Sequence, residues 1–107
     1  MYLIRRVAKC QPGKAWEVAG YMTKITSTYA EVGRSPAQVY IEGQGLPGDQ
    51  QIVYAEWLQE RIEPNDPKDI PPVIREYNSK MQALLTSYTI EFYELATPEK
   101  LQSRGFA

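Results

Sequence analysis

Few residue types in this chain of 107 residues could carry chemistry, and histidine is absent altogether. Its absence removes the commonest general base and the commonest metal ligand of proteins. The single cysteine, Cys10, has no histidine to activate it and no second cysteine with which to form an internal disulfide. We therefore expect no metal and no other cofactor, and we look for function among glutamates, tyrosines and arginines.

The glutamates and tyrosines of interest lie in segments whose composition predicts β-strands. These segments cover residues 2–10, 37–42, 51–58 and 88–95. In a strand, successive side chains point to opposite faces of the sheet. One face is apolar and is predicted to lie under helices; it carries Val39, Ile41, Val53, Ala55, Trp57, Ile90 and Phe92. The opposite face mixes aliphatic groups with Tyr40, Tyr54, Glu56, Glu91 and Tyr93.

The first strand contains two adjacent arginines, Arg5 and Arg6, and alternation alone leaves its register ambiguous. Because the first strand of a ferredoxin-like sheet lies between the strands that carry Glu56 and Glu91, we expect one of the two arginines to lie between these carboxylates. One interpretation is a buried acid–base group whose pKa is shifted by low dielectric and by its neighbours. The other, which we prefer, is a structural Arg–Glu cluster that satisfies charges in a covered interface.

The tyrosines of the same face also allow two interpretations. They could line a pocket for an aromatic or polyketide-like ligand. They could equally be interface aromatics, which are enriched at protein contacts without any ligand. We assign no catalytic residue. The predicted ligand-binding set comprises one of the two arginines together with Tyr40, Tyr54, Glu56, Glu91 and Tyr93.

Two helices separate these strands along the chain. Apolar residues recur every three or four positions from Ala15 to Tyr29, which indicates the first helix. The second is predicted to start with Asp69 as its cap and Pro71 in its first turn, and to end near Ser87. The order strand, helix, strand, strand, helix, strand predicts an α+β fold. It is the ferredoxin-like βαββαβ arrangement, one antiparallel sheet with both helices on one face.

Length and composition predict a single domain, residues 1–107, with a core of residues 2–95 and a polar, loosely held tail of residues 96–107. Twelve basic and thirteen acidic residues give a net charge of −1, which speaks against nucleic-acid binding. The apolar runs are far shorter than the roughly 20 residues that a bilayer requires. With no signal peptide at its start, we expect a cytoplasmic protein that does not enter membranes.

Helices on one face leave the other face of the sheet uncovered. An ordinary solvated face would carry threonine, lysine and serine in place of tyrosines and aliphatic residues. Because this face is half apolar, we expect a second copy of the chain to cover it, which predicts a homodimer.

Two segments carry a resemblance to a known superfamily: Gln11–Lys14 (QPGK) before the first helix and Thr89–Leu95 (TIEFYEL) in the closing strand. With this order of elements, the chain resembles the dimeric α+β barrel superfamily. It is most similar to NIPSNAP-like proteins and more distantly similar to antibiotic-biosynthesis-monooxygenase-like proteins. The resemblance covers about residues 2–95. It implies two sheets paired into a barrel, with a cleft between sheet and helices in each subunit. Counted back from Pro12 and Gly13, Arg6 occupies the position where NIPSNAP-like proteins often carry an arginine. The resemblance therefore assigns Arg6, and not Arg5, to the face of Glu56 and Glu91 and to the predicted ligand-binding set.

The resemblance implies that this cleft binds a small organic ligand, aromatic or polyketide-like. The alternative is a cofactor-independent monooxygenase or a related enzyme that transforms small molecules. Haem is not expected, because haem-handling members use a histidine ligand. We expect both tryptophans to be core residues. The side chains that could assist oxygenation, none of them in a family motif, are Trp16, Trp57, Asn65 and Asn78.

Overall fold

Four strands form one antiparallel sheet, and two long helices pack on one of its faces. The structure, a computed structural model, describes residues 1–63 and 70–106. The strand order β2-β3-β1-β4 places β1 between β3 and β4, so the predicted ferredoxin-like α+β fold is confirmed. The elements are β1 (Tyr2–Cys10), α1 (Ala15–Glu31), β2 (Gln38–Glu42), β3 (Ile52–Gln59), α2 (Pro72–Gln82), β4 (Leu85–Glu94) and α3 (Pro98–Ser103).

The hydrophobic core lies between the sheet and the two long helices. Ala8 of β1, Val53 and Ala55 of β3, Met22 of α1 and Met81 of α2 are all fully or almost fully buried there. Burial of a methionine side chain stabilises a fold by about 1.5–3 kcal/mol. The two buried methionines therefore stabilise the packing of both helices against the sheet.

Helix α2 ends earlier than its apolar spacing predicts. The helix stops at Gln82, the backbone N–H of Leu84 donates to the carbonyl of Met81 at 2.9 Å, and β4 begins at Leu85. The predicted end near Ser87 is therefore wrong. Leu84, Leu85 and Tyr88 pack against the same core from the turn and the strand, so their spacing continues the helical pattern.

The start of α2 also differs from the prediction. Pro72 is its first residue and Pro71 is the capping residue that precedes it. A proline is tolerated there because the first N–H groups of a helix have no intrahelical acceptor. The predicted cap, Asp69, lies outside the described residues.

The register of β1 decides which arginine faces the helices. Ile4 and Ala8, 2% and 0% exposed, are buried on the side of the helices, and Arg6 lies between them on that side because side chains alternate. Arg5 points to the other face of the sheet. The assignment of Arg6 to the face of the two glutamates is therefore wrong by one residue.

The face of the sheet that points away from the helices is called the open face below. Strand pairing sets Arg5 directly opposite Glu56 of β3 and Glu91 of β4. Tyr40 of β2 pairs with Tyr54 of β3 on the same face. The open face therefore carries the predicted mixture of charged and aromatic side chains: Arg5, Tyr40, Tyr54, Glu56, Glu91 and Tyr93.

The second half of β4 is less covered than predicted. Ile90 and Phe92 lie on the helix side, opposite Arg6 and Ile4 in the register. They are nevertheless exposed, Phe92 to 52%. The helices therefore cover the sheet only up to this edge strand, and both side chains remain accessible.

The chain after Thr97 forms the short helix α3, where the sequence predicts a loosely held tail. The side chain of Thr97 accepts a hydrogen bond from the backbone N–H of Lys100 at 3.2 Å, and Pro98 is the first helical residue. Lys100 Nζ lies 3.0 Å from Glu94 Oε1 at the end of β4. Thr-Pro-Glu is a helix-start signal that the polar composition conceals. Across the described parts of the chain, no helix has the length and apolar character to cross a membrane.

Candidate functional site

A cavity of about 280 Å³ lies between the sheet and the two long helices. The sheet lines it with Arg6 of β1, Trp57 of β3 and Tyr88 of β4. Ligand sites are usually concave and apolar, with a few polar groups that fix orientation. The cavity has this character: its apolar and aromatic lining includes Met22, Ile25, Tyr29, Trp57, Ile70, Ile74 and Tyr88, and its polar lining includes Thr26, Ser35, Asn78 and Gln82.

The end of α1 brings a second cation to the cavity. Gly33, with a φ of +99°, adopts the left-handed conformation that commonly follows a helix. The chain then folds back, and the backbone N–H of Arg34 donates to the carbonyl of Tyr29 at 3.1 Å. As a result, the Arg34 guanidinium lies 4.2 Å from the centre of the Tyr29 ring, and both side chains line the cavity.

The lining includes three arginines: Arg6, Arg34 and Arg75. Among the described lining residues there is no aspartate or glutamate. None of the three makes an ion pair with a described residue. Since arginine stays protonated at all physiological pH values, the described lining carries three positive charges and no negative one.

Arg6 and Tyr88 form a contact on the floor of the cavity. The Arg6 guanidinium lies 5.5 Å from the centre of the Tyr88 ring. Burial raises the pKa of Tyr88, while the positive charge of Arg6 acts in the opposite direction. Tyr88 is therefore a neutral phenol at neutral pH, and its hydroxyl can donate a hydrogen bond to a ligand oxygen.

The open face, on the other side of the sheet, contains a cluster of paired charges. Arg5 Nε donates to Glu56 Oε1 at 2.7 Å, and Arg5 Nη1 lies 3.8 Å from Glu91 Oε1. The same guanidinium lies 5.8 and 5.6 Å from the ring centres of Tyr54 and Tyr93. Two carboxylates and two rings therefore surround one cation.

The tyrosine hydroxyls of the open face have partners as well. Each donates to a side chain of the same face: Tyr40 to Gln38, Tyr54 to Glu42 at 2.7 Å, and Tyr93 to Glu91 at 2.8 Å. Burial, followed by the bond to Glu42, raises the pKa of Tyr54 to about 12. These internal partners support the structural interpretation of the cluster.

No family model matches the sequence, and no curated protein matches it significantly. Solved structures do match. A NIPSNAP domain protein from Burkholderia xenovorans superposes with a TM-score of 0.66 at 13% identity, over 92% of this chain and 97% of that chain. An antibiotic biosynthesis monooxygenase gives 0.64 at 7% identity, over 91% and 100%. A variant of SnoaB, a cofactor-independent oxygenase from Streptomyces nogalater, gives 0.57 at 11%, over 90% and 93%.

The chain shares the fold of these NIPSNAP and monooxygenase structures. The resemblance predicted from the sequence, which included the monooxygenase-like proteins, is thereby confirmed for the architecture. At these identities the similarity shows the fold alone, because one fold supports many unrelated activities.

The residues of the predicted ligand-binding set lie on two sides of the sheet. Arg6 lines the cavity, whereas the other members, Tyr40, Tyr54, Glu56, Glu91 and Tyr93, lie on the open face. A cleft between sheet and helices therefore involves only one residue of the set. Alternation separated the two faces correctly for β2, β3 and β4, and only the arginine was assigned to the wrong face, because the register of β1 was ambiguous.

Only some of the residues considered for oxygenation lie in the cavity. Trp57 and Asn78 both line the cavity. Trp16 is 70% exposed on α1, so its prediction as a core residue is wrong. Asn65 lies outside the described residues. Cys10 is buried, and burial raises the pKa of its thiol, which disfavours the reactive thiolate.

Sequence reasoning missed Tyr29, Arg34, Arg75 and Tyr88 as members of one site. Tyr29 and Tyr88 belong to apolar patterns that equally predict core packing. Arg75 and Asn78 are three residues apart on α2, which places them on neighbouring parts of one helix surface. That spacing, and the Gly33-Arg34 pair after α1, were the available signals.

Proposed function

We propose that the protein binds a small organic compound with an aromatic or polyketide-like ring system in the cavity between sheet and helices. The observation that carries the proposal is the convergence of three rings, Tyr29, Trp57 and Tyr88, with aliphatic side chains around one cavity of about 280 Å³. Aromatic rings favour offset or edge-to-face contacts with other rings. The volume is near the lower end of the roughly 300–1,000 Å³ of small-molecule sites, which suits a compound of one to three rings.

Calorimetric titration with naphthalene-2-carboxamide and naphthalene-2-carboxylate tests the proposal. The variant Ala37→Trp places an indole at the cavity wall, since Ala37 is a lining residue. Ala96→Trp is the matched control, because Ala96 is exposed after β4 and does not line the cavity. Saturable binding of at least one compound to the wild type and to Ala96→Trp, with loss in Ala37→Trp, is expected. If neither compound binds, or if Ala37→Trp binds as the wild type does, the proposal is wrong.

A second candidate function is cofactor-independent oxygenation. The observation that favours it is the presence of both Trp57 and Asn78 in the same cavity. SnoaB, one of the proteins with this fold, is a cofactor-independent oxygenase. In such a reaction the substrate supplies the electrons, and the protein's part is to hold it, to stabilise its anion and to exclude water.

Anthrone tests this second function, because anthrone and dioxygen give anthraquinone and water without any other reactant. Oxygen consumption and quinone absorbance are measured with the wild type, Asn78→Ala and Trp57→Phe. Enzymatic turnover that both variants reduce supports an oxygenase. Binding of anthrone without turnover leaves ligand binding as the function.

We also infer that the open face is an interface between two copies of the chain. Three large side chains of this face, Tyr40, Leu58 and Tyr93, are more than two-fifths exposed in the single chain. The polar groups between them have partners on the same face: Arg5 lies between Glu56 and Glu91, and the hydroxyls of Tyr54 and Tyr93 donate to Glu42 and Glu91. These features support a homodimer.

A further inference from the structure

We propose that the ligand of the cavity carries an acidic group and that Arg6 and Arg34 bind it, so that the ligand class is that of aromatic carboxylates. This inference rests on the proposed ligand binding and adds the charge of the ligand and the residues that recognise it. The argument starts from the two neighbouring arginines of β1.

The fold places Arg5 and Arg6 in different environments. Arg5 lies between two carboxylates on the open face. Arg6 projects from the central strand between the buried residues Ile4 and Ala8, on the side where the core lies. A cation there loses hydration, and this loss is normally offset by a carboxylate partner.

Arg6 has no such partner among the described residues. Its neighbours across the strands are Ala55 and Ile90, neither of which can accept a hydrogen bond from a guanidinium through its side chain. Its guanidinium lies instead over Tyr88 and on the cavity wall. A guanidinium has five N–H groups, and those of Arg6 that are not directed at Tyr88 can donate to a ligand.

Arg34, in the segment that follows α1, also lies beside an aromatic ring of the cavity lining. Its guanidinium is stacked on Tyr29 at 4.2 Å, which restricts its orientation. Both arginines are half-buried, so their interaction with an anion is less screened than at a fully exposed site. Each stacked pair thus places a fixed cation beside an aromatic ring.

A carboxylate attached to an aromatic ring matches this lining. Its two oxygens accept the parallel N–H groups of a guanidinium, and its ring replaces water against Trp57, Tyr29 and Tyr88. A neutral compound of the same shape would fill the cavity but leave the arginines without an anion. A hydrogen bond to a charged group contributes about 1.5–3 kcal/mol, which corresponds to an affinity difference of about 10- to 100-fold.

The experiment compares naphthalene-2-carboxylate with naphthalene-2-carboxamide, which have nearly the same shape and differ in charge. Calorimetric titration of the full-length protein at neutral pH is expected to give about tenfold or tighter binding of the carboxylate. Raising the salt concentration should weaken the binding of the carboxylate and leave the affinity for the amide unchanged. Failure of both compounds to bind overturns the proposed function itself. Equal affinities for the two compounds would support ligand binding but overturn the inference that the cavity prefers an acidic ligand.

Three variants test the residues. Arg6→Met and Arg34→Met keep an unbranched side chain without the charge, and each should reduce the preference for the carboxylate. Arg104→Met, at the end of α3 and outside the cavity lining, should retain it. If Arg6→Met does not fold, Arg6→Lys serves in its place, because it keeps the charge but loses the two-pronged geometry. An undiminished preference in the variants of both cavity arginines would assign the anion to another site and overturn the inference.

Discussion

Arg5 and Arg6 are adjacent in the chain, yet the fold places them in opposite electrostatic environments. Replacing Arg5 by methionine leaves Glu56 and Glu91 without their shared cation. Because this cluster is partly solvent-exposed in the single chain, we expect Arg5→Met to lower the free energy of unfolding by about 1 kcal/mol. Arg6→Met should lower it less or raise it, since it removes a cation that has no described carboxylate partner. Urea denaturation followed by circular dichroism measures both, and a larger loss for Arg6→Met would contradict the assignment.

Tyr54 gives the protein a predictable response to alkaline pH. Its pKa in the folded chain, about 12, is higher than the value of about 10 expected in the unfolded chain. The folded state therefore favours the neutral phenol, and this contribution to stability is complete below about pH 10. It is lost as the pH rises from about 10 through 12, as the phenol ionises in both states.

The test is the free energy of unfolding as a function of pH. The wild type should lose more stability than Tyr54→Phe across that alkaline range. Glu42→Gln should lower the pKa of Tyr54, because the charged acceptor of its hydroxyl is replaced by a neutral one. Ultraviolet titration of tyrosinate reports this shift. Identical alkaline profiles for the wild type and Tyr54→Phe would show that the hydroxyl is hydrated in the folded protein.

At the scale of the elements, the hairpin between β2 and β3 contains a strained residue. Gln51 has a φ of +63°, the left-handed region that disfavours a side chain, and its buried Oε1 has no hydrogen-bond partner among the described residues. Gln51→Gly removes the strain and the orphaned oxygen and retains the carbonyl that accepts from the N–H of Cys10. Glycine also gives the unfolded chain more conformational freedom, which opposes this gain. We expect a net increase of about 1 kcal/mol in the free energy of unfolding.

Gly43, at the other end of the same hairpin loop, is a position where adding a side chain should destabilise the protein. Its φ is +78°, and a Cβ placed there would overlap the backbone carbonyl oxygen of Asp49. Gly43→Ala should therefore reduce the melting temperature, whereas Gln51→Gly should raise it. Differential scanning calorimetry of the two variants measures both directions. A lower melting temperature for Gln51→Gly would mean that its side chain makes a favourable contact.

The elements themselves could be predicted well, and their exact ends less well. Strands and α1 follow from alternation and from three- and four-residue spacing, because each has one buried side. The junction of α2 and β4 could not be placed, since Leu85 and Tyr88 pack on the core from a strand while keeping helical spacing. The register of β1 could not be chosen either, because Leu3 and Val7 make its open side as apolar as its core side.

The candidate site was harder to predict than the fold because it exists only at the scale of the whole molecule. Arg6, Arg34 and Trp57 are far apart in the sequence and meet only where β1, the end of α1 and β3 surround one cavity. Of the predicted set, only Arg6 belongs to this cavity, and it does so through the opposite register. The remaining members lie on the open face, which we propose as the interface between two copies of the chain.

At the scale of the whole molecule, the open face predicts a homodimer. Two chains packed through it should give a particle of about twice 12.2 kDa in light scattering, with an interface larger than roughly 1,000 Å². Leu58→Glu places a carboxylate on the open face, where Leu58 is 46% exposed, and should dissociate the pair. A charge there would be buried without a partner in the dimer but solvated in the single chain.

Leu46→Glu is the matched control. Leu46 is even more exposed, at 71%, but it lies in the loop between β2 and β3, outside the strands that form the open face. A dimer retained in Leu46→Glu and lost in Leu58→Glu places the contact on the open face. A wild-type chain that remains monomeric at micromolar concentration would contradict the dimer, but it would leave the cavity intact, because its described lining comes from a single chain. The two faces of the sheet can therefore be tested separately: one by assembly and the other by ligand binding.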